Sequence, residues 1–264
     1  MPFIGGGGVE KNLFLISEYL SNKIRDIRVC TVSINMNKKF DKKIKFIQPK
    51  KNIYNNLNIR LKYLISLYLL FRFLISNRDC VVVSFQANIY CVLICKILKI
   101  KILVRSNSSP SGWYHNWIKK FIYKKIISLS DVVIVNSITF KKQMEDLLDI
   151  NVKCIFNPLN FREIINKSRL KQSNAIFKEK KFIKLINIGR LTEQKDQITL
   201  LKSLNLIKDR YKFKLLILGR GKEKKKMLKY ISLNKLNDIV KIHNFIENPY
   251  PLLKQSDIFI LSSK

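Results

Sequence analysis

The chain has 264 residues, 47% of them hydrophobic, and carries 51 Lys and Arg against 18 Asp and Glu, a formal charge of +33 with a pI near 10.1. That length and apolar content support one large or two modest domains with real cores and exclude an intrinsically disordered chain. The charge favours anionic partners such as nucleic acid, an anionic lipid surface or phosphorylated substrates, although a composition rich in Lys, Ile and Asn also places basic residues on solvated faces that bind nothing.

In chain order, an apolar stub, Pro2-Phe3-Ile4, leads into the run Gly5–Gly8. A helix follows, because Val9, Leu13, Ile16 and Leu20 recur on one stripe and Glu10 sits in the first turn, where a carboxylate suits the helix dipole. Ile27–Ser33 reads as a strand, 35–56 as mostly loop with a short strand at Ile44–Ile47, and Leu57–Ser76 as a helix with a broad apolar face. Cys80–Phe85, CVVVSF, is a continuous β-branched run, which predicts a parallel strand buried on both faces. A helix at Ile89–Leu98, a strand at Lys101–Arg105 and a helix with a basic outer face at Trp113–Leu129 come next. A strand at Val132–Val135, a helix to Leu148 and a strand at Val152–Phe156 complete this half. The rhythm lapses over Leu159–Lys181, apart from a short helix within Phe161–Leu170. It resumes with strands at Phe182–Ile188, Phe213–Leu218, Val240–His243 and Ile258–Ser262, and helices at Gln197–Ile207 and Lys222–Asn234. Such alternation means βα units on doubly wound parallel sheets. The expected organisation is a domain over 1–158, a connection over 159–181 and a second domain over 182–264.

Leu185–Lys195, LINIGRLTEQK, is the stretch with the clearest chemistry. A buried strand stops at Gly189, and the loop then presents Arg190 and Lys195 ahead of a helix start. A guanidinium and an ammonium can straddle a diphosphate, and the first turn of the helix adds free N–H groups. The same residues also fit an ordinary basic surface loop. Glycine is scarce, with eight in the chain, and Gly5–Gly8, Gly189, Gly219 and Gly221 all fall at strand-to-helix junctions, where ligands sit in open α/β sheets. Arg105, Asn107, Ser137 and Asn157 are expected at the same sheet edge. For Gly219 and Gly221 a close-packed strand–helix turn stands level with direct ligand contact.

GRLTEQKD with the following LLKSL and KLLILGRG resembles the donor-binding domain of the family 4 retaining glycosyltransferases (glycosyl transferase group 1), and Gly7-Gly8-Val9-Glu10 resembles their GGxE loop. The resemblance implies a GT-B fold, two Rossmann-like domains facing across a cleft, the second incomplete here. It implies transfer of a sugar from a nucleotide diphosphate, with UDP-sugar as the expected donor, to a lipid-linked or polysaccharide acceptor with retention, in surface polysaccharide or lipopolysaccharide synthesis. Arg190 and Lys195 fall on the family's catalytic, diphosphate-holding positions. Gly7, Gly8, Gly189, Gly219 and Gly221 fall on donor-binding positions, and Glu10, Arg105 and Asn107 on the acceptor side. The implied reaction needs no metal or other cofactor, since the two cations stabilise the leaving group. Asn107 stands where the family usually has a His, and His115 reads as an ordinary surface residue. A fuller leading strand and a paired-glutamate helix after DIFILSSK belong to the family pattern, so the reading frame is expected to extend past one or both ends. A nucleotide-binding remnant without turnover and a basic nucleic-acid binder are the alternatives. No helix-turn-helix, RRM or zinc-finger pattern supports the latter, so no specific nucleic acid is expected.

Five cysteines without a CxxC pair read as free thiols in a reducing compartment. The start lacks a signal-peptide pattern, and Tyr63–Ile75 is too short to span a bilayer. The expected location is cytoplasmic, on an anionic inner membrane face.

Overall fold

The computed structural model describes residues 1–5, 7–50, 57–107, 117–170, 177 and 181–263, in two compact units divided at Leu159 and Asn160.

The first unit opens with helix α1 (Gly8–Ser21) and a two-stranded parallel ribbon, β1 (Arg28–Cys30) with β2 (Lys45–Ile47). Helix α2 (Ile59–Ser76) is capped by Asn58, whose side chain accepts from the Leu61 N–H at 2.9 Å. Then β3 (Val81–Ser84), α3 (Asn88–Ile97), β4 (Lys101–Ser106), α4 (Trp117–Ile127), β5 (Val132–Val135), α5 (Ile138–Leu148) and β6 (Lys153–Cys154) alternate. They build a parallel sheet in the order β3-β4-β5-β6. Its core joins Ile102, Val104, Val133 and Val135 to Val92, Ile127 and Met144 of the covering helices.

Burial on both faces of β3, expected from its β-branched run, does not occur. Val81 is 56% exposed while Val82 packs on the core. β3 is the edge of its sheet, and α3 covers only the Val82 side. A cavity of about 320 Å³ lies between β1 and β3, lined by Leu13, Val29, Leu67, Phe73, Val81 and Val83 among others. The Met1 amino group is buried at this cavity and donates to the Cys30 carbonyl at 2.9 Å; burial holds it below the usual amine range.

The second unit contains α6 (Phe161–Ser168), β7 (Ile183–Ile188), α7 (Gln197–Ile207), β8 (Phe213–Leu218), α8 (Lys224–Leu233), β9 (Val240–His243), α9 (Tyr250–Gln255) and β10 (Ile258–Phe259). All strands are parallel, in the order β10-β7-β8-β9. The chain therefore steps outward from β7 to β9 and returns to the other side of β7. Alternate residues of β8 serve two cores. Leu215 and Ile217 pack with Leu201, Leu204, Met227 and Ile231 of α7 and α8, whereas Leu216 and Leu218 pack with Phe177 and Leu252. A strand clad on both faces explains why Leu215–Leu218, LLIL, is an unbroken apolar run. Each of these buried side chains contributes about 1.5–3 kcal/mol relative to exposure.

The stretch expected to connect the domains contributes to the second unit instead. α6 packs on α9, the Asn248 amide donates to the Lys167 carbonyl at 3.0 Å, and Phe177 is buried against Ile186. Within α6 Ile164 is half-buried, whereas Phe161 and Ile165 are exposed.

All five cysteines are free, and burial pushes the Cys95 thiol up to about 12, so it is inert at neutral pH.

Candidate active site

The loop after β7 is fixed by backbone on both sides. Gly189 N–H donates to the Leu218 carbonyl at 3.0 Å, and Leu191 N–H donates to the Arg220 carbonyl at 2.9 Å. Glu223 N–H returns to the Leu191 carbonyl at 3.1 Å. Loop 189–191 thus lies directly on segment 219–221. Gly219 and Gly221 permit this contact. A Cβ on Gly219 would stand 1.9 Å from the Gly189 oxygen, and one on Gly221 would stand 2.1 Å from the Leu191 oxygen. Their role here is close backbone packing, one of the two readings open from sequence.

Beyond Leu191 the chain makes a 3-10 turn, Glu193–Lys195, and enters α7 through Asp196 at φ 45°. Aspartate tolerates that left-handed conformation better than most residues. The turn raises Lys195 beside Gly189, whose Cβ position is 3.9 Å from the lysine stem. Lys195 Nζ donates to Ser263 Oγ at 3.1 Å, and Ser262 Oγ donates to the Lys195 carbonyl at 2.9 Å. Arg190 is exposed, with no ion-pair partner among the described residues. Arg190, Lys195, Gly189, Gly219 and Gly221 are therefore brought together. They sit at the carboxyl end of β7, where the winding reverses between β8 and β10, the position at which doubly wound sheets bind ligands.

The buried amides Asn187 and Gln197 and the two serines beyond β10 also hold this loop, and none of them is among the residues expected from sequence. The signal was present: Asn187 interrupts the apolar run LINI, and Gln197 opens a helix on its buried side.

In the first unit, Glu10 is buried and turns back on the glycine run, accepting from the Gly5 N–H at 3.3 Å. Gly7 is the N-cap of α1, so Glu10 at the third helical position bonds the backbone two residues before that cap. Gly8 has open space around it, and Gly6 lies outside the described residues.

Arg105 is buried and its guanidinium is directed along the sheet edge, donating from Nη2 to the Ile155 carbonyl at 3.1 Å and to Asn157 Oδ1 at 2.8 Å. Burial holds its pKa below the usual arginine value. Asn107 donates to the Phe85 carbonyl at 3.2 Å, and Asn88 donates to the Arg105 carbonyl at 3.2 Å. These side chains stitch the ends of β3, β4 and β6 together. Ser137 caps α5 by accepting from Phe140 N–H at 3.2 Å. His115 lies outside the described residues. Among the described residues, no group of three or more His, Cys, Asp or Glu is placed to hold a metal ion.

The sequence model of the family "Glycosyl transferases group 1" matches residues 166–264, which span this loop and its whole sheet. Over those residues the chain is similar to the group 1 glycosyltransferases. An uncharacterized glycosyltransferase of Methanocaldococcus jannaschii is 33% identical over 191 residues, 65% of this chain and 46% of that protein. The N-acetylgalactosamine-N,N'-diacetylbacillosaminyl-diphospho-undecaprenol 4-alpha-N-acetylgalactosaminyltransferase of Campylobacter jejuni is 26% identical over 176 residues, 62% of this chain and 45% of that protein. The chain thus spans about half the length of the curated relatives it matches. The crystal structure of Anabaena HepE in complex with UDP and glucose superposes with a TM-score of 0.73 at 14% identity, over 99% of this chain and 72% of that one. That likeness establishes the GT-B fold.

Proposed function

We propose that the protein transfers a sugar from a nucleotide diphosphate, with UDP as its nucleotide, to a lipid-linked or glycan acceptor, with retention and without a divalent metal. The observation that carries this reading is the loop at the switch point of the second sheet, where Arg190 and Lys195 stand beside the first turn of α7. The diphosphate leaves the anomeric carbon as the acceptor hydroxyl arrives, and the negative charge it gains is met by the two cations and the helix N–H groups. HepE, which shares the fold, is described in complex with UDP, and the Campylobacter relative is named for a diphospho-undecaprenol acceptor. Calorimetric titration with UDP in the presence of a chelator tests the donor half of the proposal. UDP binding is expected to persist in the chelator. Its absence in both conditions sinks the proposal, and binding without transfer of sugar is the result expected of a chain that only holds nucleotide.

Helix α4 supports a membrane-bound acceptor in surface polysaccharide or lipopolysaccharide synthesis. The outward face, expected to be basic, carries Trp117 and Phe121 at 76% and 55% exposure, with Ile118 and Ile122 also exposed between lysines. Aromatic rings interleaved with lysines suit the interface of an anionic bilayer, at about 1 kcal/mol per lysine near the surface. No helix among the described residues is long and apolar enough to cross a membrane. The protein is expected to sediment with vesicles of anionic phospholipid, weakly with neutral ones, and less as salt rises. Sedimentation indifferent to lipid charge and salt contradicts this part of the reading.

A further inference from the structure

Two amides are buried behind the Arg190 loop: Asn187 in β7 and Gln197 in the first turn of α7, each 2% exposed. Gln197 Nε2 donates to the Arg190 carbonyl at 3.1 Å and lies 3.4 Å from Asn187 Oδ1. Asn187 Nδ2 donates to the Ile260 carbonyl at 2.8 Å. The Arg190 carbonyl also accepts from Thr192 N–H at 3.0 Å, so both of its lone pairs are engaged. One relay therefore joins the loop, the start of α7 and the segment after β10.

An apolar side chain would suit this place better if packing were its only task. A buried amide is costly unless its groups are bonded, and Gln197 Oε1 has no hydrogen-bond partner among the described residues. Methionine has the same length and no polar group to strand. The sequence keeps a glutamine with one end unsatisfied and the other on the backbone of Arg190.

We propose that Gln197 is a positioning residue: its Nε2–H fixes the Arg190 carbonyl and thereby aims the guanidinium at the donor diphosphate, while Asn187 orients the glutamine and ties it to β10. This rests on the reading of Arg190 as a diphosphate ligand.

The test is Gln197→Met, with Gln197→Asn as a second variant whose amide is one methylene too short to reach the carbonyl, and Gln197→His as a rescue that retains an N–H donor. Three readouts are taken: thermal midpoint, hydrogen exchange of the 189–191 amides without nucleotide, and UDP affinity. The methionine variant is expected to melt at or above the parent midpoint. Its loop amides exchange faster, and it binds UDP about tenfold more weakly, the equivalent of one hydrogen bond. The asparagine variant shows the same loss of affinity, and the histidine variant recovers it. A methionine variant that is less stable yet keeps parental exchange and UDP affinity overturns the proposal and leaves Gln197 a packing residue. If the parent protein itself does not bind UDP, the diphosphate reading fails. The exchange of the loop amides then still decides whether Gln197 holds the loop.

Discussion

Arg190→Ala and Lys195→Ala are each expected to lower sugar transfer about 10²–10³-fold, with a smaller loss in UDP affinity. The magnitude follows from what each cation does: removing one preorganised group aimed at developing negative charge typically raises the barrier by about 2.7–4 kcal/mol. UDP carries much of that charge already, but charge on the leaving oxygen grows only as the glycosidic bond breaks. Turnover should therefore fall further than ground-state binding. The two residues differ in preparation. Lys195 is held by Ser263 Oγ at 3.1 Å, whereas Arg190 is exposed and, among the described residues, is fixed only through its backbone. Arg190→Lys should recover part of the activity at most, since an ammonium lacks the planar fork that grips two phosphate oxygens. Steady-state kinetics with a radiolabelled nucleotide-sugar would measure this. Either alanine variant retaining turnover within about threefold of the parent would remove that residue from the chemistry.

Gly219→Ala and Gly221→Ala carry the second-largest expected effect. Neither glycine has positive φ, so backbone strain is not the cause. The cause is collision. A Cβ at 219 would lie 1.9 Å from the Gly189 oxygen, and one at 221 would lie 2.1 Å from the Leu191 oxygen and 2.8 Å from its nitrogen. Backbone cannot swing aside as a flexible side chain does. The loop carrying Arg190 must lift, and its hydrogen bonds to Leu218 and Arg220 must stretch or break. Overpacking usually costs about 1–3 kcal/mol, and these contacts belong at or above its upper end. A loss of about 3 kcal/mol would lower the melting midpoint of the second unit by roughly 12–24 °C for a piece of about 100 residues. UDP affinity should fall as well, because the displaced backbone is the one that places Arg190. Gly8→Ala is the contrast. Nothing lies within 4 Å of its Cβ position, and Gly8 is the first residue of α1, where alanine is the better helix former by up to about 1 kcal/mol. That variant should melt no lower than the parent. Gly219→Ala and Gly221→Ala variants with parental midpoints would show that the two loops do not press on one another.

The sequence by itself determined the βα alternation, most element bounds and the sheet edge on which the candidate site lies. Val132–Val135, Gln197–Ile207, Phe213–Leu218 and Val240–His243 fold over the residues their patterns mark. Such features are local: apolar periodicity, β-branched runs and glycine breaks act over a few neighbouring residues. That Arg190 and Lys195 share one loop was legible for the same reason, since both stand within six consecutive residues.

What only the tertiary structure decided depends on partners far apart in the chain. The order β10-β7-β8-β9 makes the β7 loop a switch point, and no periodicity announces where a returning strand will pair. Arg105 meets Asn157 across 52 residues, and Asn187 meets Ile260 across 73, so neither engagement could be read from neighbours in sequence. Gly219 and Gly221 became packing glycines only when loop 189–191 was laid upon them. Val81 is exposed because its strand ended up at a sheet edge, and the stripe of Trp117 and Phe121 faces outward because Tyr123 and Ile127 took the buried side of α4. A sequence states which residues can be buried; the folded chain decides which surfaces remain to bury them.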